Sequence, residues 1–172
     1  MDEIIEGLWL GDFSSAVKVK NLKSKGIKKI LTVIIQMGIC ENGDYDPGPN
    51  YKSEDGFIHK NIELFDIPSE NAIKYFGDCL NFIDGDEKVL VHCMHGQSRS
   101  ATIVIAYLMW KKKMSYDEAF SFVNYKRSIF PNDGFKEQLK LFENELEKND
   151  YDINEINFKE INWKPNDEDF NF

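Results

Sequence analysis

Val89-Leu90-Val91-His92-Cys93-Met94-His95-Gly96-Gln97-Ser98-Arg99-Ser100 joins a short apolar run to a longer one that extends from Ala101 to Trp110. The first run stops at His92-Cys93, so strand, tight loop and helix is the natural reading. The loop carries a thiol at Cys93 and a guanidinium at Arg99, with five residues between them. Backbone amides at a helix N-terminus point at any anion in front of them. A thiol in the floor of such a site is set to act as a thiolate facing a bound phosphate. Arg99 offers a planar fork that takes two phosphate oxygens at once. Gly96 permits the backbone angles that turn successive amides inward. Met94, His95, Gly96, Gln97, Ser98 and Arg99 are therefore the expected phosphate cradle. Ser100 can donate a hydrogen bond to the sulfur. His92 is expected to order the loop by hydrogen bonding rather than to carry protons. The loop is not the ATP-binding type, because no Gly-x4-Gly-Lys-Ser/Thr pattern occurs.

The chain around the loop is 172 residues long, 42% apolar and carries a net charge of -9. That length suits one domain, or one domain with a tail, and that apolar share is enough for a packed core. Much of the acidity lies at the end. From Glu147 to Phe172 there are eight acidic and three basic residues, a net of -5. The remainder carries only -4, the difference from -9, so it can still present a basic patch to an anionic substrate. The balance gives no reason to expect nucleic acid as partner. Cys40, Cys79 and Cys93 are an odd set without CxxC spacing, so neither a disulfide framework nor a structural zinc site is expected. The N-terminus is acidic where a secretory signal would be basic, and no apolar run is long enough to span a bilayer. These features point to the cytoplasm or the nucleus.

Outward from the loop, strands and helices alternate. Ile4–Leu10 reads as a short strand around Gly7. Ser14 is the expected cap of a helix to Leu22, stopped by Gly26. Ile27–Ile35 reads as a buried strand, Gln36–Gly56 as a long functional or disordered loop, and Phe57–Leu64 as a strand. Helical spacing of Ala72, Tyr75, Phe76, Cys79, Leu80 and Ile83 predicts a helix over Asn71–Asp84. Ala101–Trp110 is apolar nearly all round and predicts a central buried helix. Ser115 with Glu118 forms a capping box that opens a helix to about Arg127. A last amphipathic helix covers Phe135–Glu147. This pattern predicts an α/β fold: a central, mostly parallel, twisted sheet flanked by helices. Residues 1–147 form the expected catalytic domain and 148–172 an acidic, aromatic-containing tail. The tail reads as a solvated extension. Its Tyr151, Ile153, Ile156, Phe158, Ile161, Trp163, Phe170 and Phe172 leave open a segment docked on its own domain or on a partner.

The motif His92-Cys93-x5-Arg99-Ser100 resembles the signature of the cysteine-based protein phosphatases, and of their dual-specificity branch in particular. Three further stretches carry the same resemblance in order: Glu3–Gly11, Ser98–Met109, and Lys126-Arg127-Ser128-Ile129-Phe130-Pro131-Asn132 with Phe135, Gln138 and Leu139. The resemblance implies hydrolysis of phosphotyrosine and of phosphoserine or phosphothreonine through a phosphocysteine, with phosphoproteins as partners and no metal, cofactor, nucleic acid or membrane. It also implies a general acid, an aspartate on a loop upstream of the cysteine strand. Asp66 in Leu64-Phe65-Asp66-Ile67-Pro68 has that place in the order of elements. Asp55, Asp78 and Asp84 are poorer candidates, the first lying before a strand and the others inside a helix.

Departures from related branches narrow this expectation. No Trp-Pro-Asp occurs, so a shallow pocket is expected rather than a tyrosine-specific one. The loop lacks the lysines of phosphoinositide-directed relatives and the Asn-Arg-Thr of the RNA triphosphatases. The length leaves no room for a kinase-docking domain, and the tail shows no zinc module, so the match is to the small, atypical members. The alternatives are a phosphatase for a non-protein ester, and a non-catalytic module that captures phosphoproteins. Inactive relatives usually lack the Cys, Arg or Asp, and this chain holds Cys93, Arg99 and Asp66. Cys40 and Cys79 read as structural, the alternative being partners that resolve an oxidised Cys93. Oligomeric state is not legible.

Overall fold

The computed structural model describes residues 1–35, 49 and 51–165. Its strands are β1 (Asp2–Ile5), β2 (Leu8–Gly11), β3 (Ile27–Val33), β4 (Ile58–Ile62) and β5 (Lys88–His92). Its helices are α1 (Phe13–Ala16), α2 (Val19–Ser24), α3 (Phe76–Ile83), α4 (Arg99–Lys111), α5 (Tyr116–Lys126) and α6 (Asp133–Lys148). The strands form one sheet in the order β1-β2-β5-β3-β4. All neighbours are parallel except β1 and β2. This is the mostly parallel α/β architecture that the alternating pattern predicts.

β5 holds the centre. Gly11 of β2 and Thr32 of β3 both stand opposite His92, so the carboxyl ends of three parallel strands converge where Cys93 begins. Such ends are where open α/β sheets place their ligands. Alternation along β5 divides the core. Val89 and Val91 pack with Leu8, Leu10, Leu31 and Val33 against α3 to α6. Leu90 joins Ile27, Ile30, Ala16 and Leu22 on the α1–α2 face. A strand buried on both faces reads as a continuous apolar run, which is what Val89-Leu90-Val91 is.

α4 is buried from Ser100 to Met109 and fills the middle of its layer. α5 opens on the expected capping box: the Glu118 amide donates to Ser115 Oγ at 3.2 Å, and the Ser115 amide to Glu118 Oε2 at 2.8 Å. α6 is capped by Asn132, whose Oδ1 accepts from the Phe135 amide at 3.0 Å.

Four boundaries differ from the sequence expectations. Ile4–Leu10 is not one strand but the hairpin of β1 and β2, reversed at Gly7 with φ +80. The first helix is capped by Asp12 rather than Ser14, because the Asp12 carboxylate accepts from the Ser15 amide at 2.8 Å. It breaks after Ala16 and resumes as α2. The expected Asn71–Asp84 helix opens instead with a 3-10 turn at Ile73–Tyr75. There the amides of Ala72 and Ile73 are taken by the Gln138 side chain.

The described part of the tail is packed, not solvated. Left-handed backbone at Asp150 and Tyr151 turns the chain back after α6. Trp110 Nε1 donates to the Tyr151 carbonyl at 3.0 Å, and Ile153, Ile156 and Trp163 are buried. Phe158 packs on Phe142 with ring centroids 5.8 Å apart and covers Gly77, where a Cβ would lie 2.8 Å from its ring. Phe170 and Phe172 lie outside the described residues, as do Cys40 and most of the expected Gln36–Gly56 loop.

Candidate active site

Cys93 leaves β5 buried at the base of the loop, and α4 starts six residues later at Arg99. Two donors meet its sulfur. The Gly96 amide lies 3.2 Å from Cys93 Sγ, and Ser100 Oγ lies 3.1 Å from it. Both present the sulfur as a hydrogen-bond acceptor. Gly96 is required twice over. Its φ is +66, and a Cβ there would lie 2.4 Å from the Gly11 carbonyl oxygen.

The loop carbonyls are held outward by a side chain to which the sequence reading gave no role. Arg127 Nε donates to the Gly96 carbonyl at 2.9 Å, and a terminal nitrogen donates to that of His95 at 3.1 Å. The same guanidinium pairs with Asp2 at 2.7 Å and with Asp12 at 3.6 Å. Partial burial pushes Asp12 up, but hydrogen bonds from Ser15 and Ser14 and the Arg127 charge outweigh it and hold the carboxyl at about 2. With these carbonyls facing Arg127, the amides of the loop are left for the anion side.

Behind the loop runs a polar chain from buried His92 and Thr32 out to exposed His59. His92 Nε2 lies 2.7 Å from Thr32 Oγ1, which lies 2.8 Å from His59 Nε2. His92 Nδ1 is 3.4 Å from the Cys93 carbonyl. Burial lowers His92 to about 4, so it is neutral near pH 7. Its bonds run to backbone and to Thr32, which suits a group that orders the loop.

Asp66 reaches the loop from the segment after β4. Its Oδ1 accepts from Ser98 Oγ at 2.6 Å and from Asn132 Nδ2 at 3.0 Å. Its Oδ2 faces Arg99 Nε at 3.7 Å. That Arg99 nitrogen is buried without a hydrogen-bond partner among the described residues, while another donates to the Leu64 carbonyl at 3.4 Å. α6 fixes this segment. A Cβ on Gly134 would collide with the Pro68 carbonyl at 1.9 Å, and Gln138 Nε2 donates to the Glu70 carbonyl at 2.9 Å.

The structure thus brings together Cys93, Asp66, Arg99, Ser100 and His92, with Met94 to Ser98 as the loop between them. Ser98, expected in the phosphate cradle, turns its hydroxyl onto Asp66. Cys79 lies in the core, where burial pushes its thiol up to about 12, far from thiolate chemistry. Among the described residues no group of three His, Cys, Asp or Glu could hold a metal ion.

The family model "Dual specificity phosphatase, catalytic domain" matches residues 8–145. The chain belongs to the dual specificity phosphatase family. The phosphatase is 37% identical over 154 residues to dual specificity protein phosphatase 1B of Arabidopsis thaliana, covering 87% of this chain and 85% of that one. It is 36% identical over 148 residues to dual specificity protein phosphatase MPK-4 of Drosophila melanogaster, covering 83% of this chain but 36% of the relative. Among solved structures it superposes on the human tyrosine phosphatase-like serine/threonine/tyrosine-interacting protein with a TM-score of 0.75. That match has 39% identity and covers 84% of this chain and 95% of the other. The phosphatase is therefore a hydrolase domain of the protein-tyrosine-phosphatase type.

Proposed function

We propose that the phosphatase removes phosphate from phosphotyrosine and from phosphoserine or phosphothreonine in proteins, in two steps through a phosphocysteine on Cys93. The observation that carries this reading is the convergence of the Gly96 amide and Ser100 Oγ on Cys93 Sγ, beside the Arg99–Asp66 pair. Phosphate oxygens enter between the loop amides and Arg99, whose buried Nε has no hydrogen bond among the described residues and is the kind of donor that an anion satisfies. The Cys93 thiolate attacks phosphorus, and the bond from phosphorus to the substrate oxygen breaks. That oxygen takes a proton from Asp66. Oδ1 is engaged by Ser98 and Asn132, so Oδ2 carries the proton. Positioned acids of this kind contribute about 10²–10⁴-fold.

In the second step Asp66 accepts a proton from water, and the water oxygen attacks phosphorus. The sulfur–phosphorus bond breaks, and the thiolate is received by the Ser100 hydroxyl and the Gly96 amide. Inorganic phosphate then leaves. The loop amides and Arg99 hold the phosphoryl group in both steps, which is an electrostatic stabilisation of the transferring charge. Met94, His95, Gly96 and Gln97 supply backbone to this cradle. Ser98 acts through Asp66, and His92 through the loop backbone.

The catalytic thiolate works only while reduced, which fits the cytoplasm or the nucleus. No helix among the described residues is long and apolar enough to cross a membrane. The solved relative named for interaction, not catalysis, makes capture without turnover the reading to test against. Wild-type protein is expected to hydrolyse an aryl phosphate and singly phosphorylated peptides of all three kinds. Cys93→Ser is expected to bind the peptides and turn over none. Tight peptide binding by a wild-type protein that releases no phosphate would support the capture reading instead.

A further inference from the structure

Seven large apolar side chains are exposed among the described residues, and four of them stand on segments tied to the phosphate loop. Phe65 and Ile67 flank Asp66, whose carboxylate is bonded to Ser98 and Asn132. Phe130 is held by its backbone, its amide donating to the Gln97 carbonyl at 2.8 Å. Met94 follows Cys93, and its carbonyl accepts from the Phe13 amide at 3.1 Å. Their exposures are 51% for Phe65, 39% for Ile67, 40% for Met94 and 74% for Phe130. Exposed apolar side chains scattered singly need no explanation, but a cluster around one mouth marks a contact surface.

We propose that this apolar rim is a docking surface for large apolar residues next to the phosphorylated residue of a peptide substrate. The proposal rests on the phosphatase reading above and names its substrate class. Continuity with the phosphate site fixes what can lie there, because a chain that puts its phosphate over Cys93 must pass its neighbouring residues over the rim. Charge argues the same way. Met94 to Ser98 include no lysine or arginine. Arg127, which contacts the loop from outside, is held by two loop carbonyls, Asp2 and Asp12. An acidic or doubly phosphorylated neighbour finds little to pair with there, whereas a leucine or phenylalanine finds Phe65, Ile67 and Phe130 to cover.

The backbone bonds also explain why these side chains are not buried in the core. The Gln97 carbonyl and the Asp66 contacts fix the main chain, and the side chains are left facing solvent. Phe130 is the clearest case, because its amide is used while its ring is three-quarters exposed. Water is removed from these rings only when something else covers them.

The test compares kcat/KM on matched phosphopeptides with leucine or phenylalanine, alanine, glutamate, or a second phosphoresidue beside the phosphorylated one. Dissociation constants of the same peptides for Cys93→Ser protein are read in parallel. Wild type is expected to favour the apolar set by about tenfold over the alanine set, with the acidic and doubly phosphorylated sets no better than alanine. Phe130→Ser, and separately Phe65→Ser, should shrink that preference through KM while kcat on a small aryl phosphate stays as in wild type. Equal constants across the sets, a preference for acidic neighbours, or a preference undiminished in both variants would overturn the proposal. So would concentration-dependent self-association that Phe130→Ser abolishes, since the rim would then be an interface between copies. If no peptide is turned over but the Cys93→Ser affinities still show the apolar preference, the phosphatase reading fails and the rim stands.

Discussion

Ser98 Oγ donates to Asp66 Oδ1 at 2.6 Å, which ties the residue that precedes α4 to a carboxylate 32 positions away in the chain. The bond holds Asp66 at the rim of the loop with its other oxygen toward Arg99. Removing the carboxylic proton while keeping the shape separates acid catalysis from binding. Asp66→Asn is expected to lower kcat by about 10²–10⁴-fold on phosphoserine peptides, whose alkoxide must be protonated. The loss should be smaller on an aryl phosphate with a good leaving group, and inhibition by inorganic phosphate should be little changed. Equal losses on both substrates would remove Asp66 from the acid role.

The Thr32 hydroxyl lies between two imidazoles, His92 and His59, and both are lowered by burial. His92 titrates at about 4 in the folded chain, against about 6.5 for an unfolded histidine. As pH falls the unfolded chain binds the proton first, so the contribution of His92 is whole above about pH 6.5 and declines toward pH 4. That difference amounts to about 3 kcal/mol. Denaturant unfolding should show stability rising with pH across this window, and a His92→Asn variant should show a flatter rise. Thr32→Val leaves both imidazoles short of a partner and should cost about 1–3 kcal/mol at pH 7.5. An unchanged unfolding midpoint for Thr32→Val would contradict the role given to this hydroxyl.

Arg127 is one letter of a longer resemblance in the sequence, yet it makes four contacts, two of them to loop carbonyls and two to Asp2 and Asp12. Arg127→Met keeps the stem and removes the donors. Inorganic phosphate is expected to inhibit this variant about tenfold less strongly, because the His95 and Gly96 carbonyls lose charge-assisted bonds. An unchanged inhibition constant would show that the loop holds its form without the brace.

These contacts mark the boundary of what was legible. The β5–loop–α4 unit could be read because its signals are local: an apolar run, a fixed Cys–Arg spacing, a second apolar run. Asp66 could be placed from the order of elements alone. Arg127, Thr32, His59, Asn132 and Gln138 could not, because each acts on a partner distant in sequence and leaves no periodic trace. Gln138 bonds the Ala72 amide 66 positions away, and Arg127 pairs with Asp2 across 125. The β1–β2 reversal was missed because seven residues around one glycine fit a short strand as well as a hairpin.

The acidic C-terminal stretch was misread for a different reason. Its composition is that of a solvated segment, but its apolar residues fall where α3, α4 and α6 leave surface to cover. Deleting residues from Asn149 onward removes the packing of Ile153, Ile156 and Trp163 and uncovers Phe142 and Gly77. The cost is expected to be on the order of 5 kcal/mol, from roughly 1.5–3 kcal/mol for each large side chain buried. Thermal unfolding of the truncated chain should fall accordingly. A midpoint within about 2 °C of the full chain would mean that the segment contributes little.

The central claim is that the phosphoryl group passes through Cys93. Rapid mixing with excess aryl phosphate, acid quenching and mass spectrometry of the peptides tests it most directly. The account predicts a phosphate adduct on the peptide that contains Cys93, absent from Cys93→Ser. It also predicts a higher adduct level in Ser100→Ala, where the sulfur loses the hydroxyl 3.1 Å away that receives it on departure. Turnover with no adduct at any time, or an adduct on another residue, would contradict it.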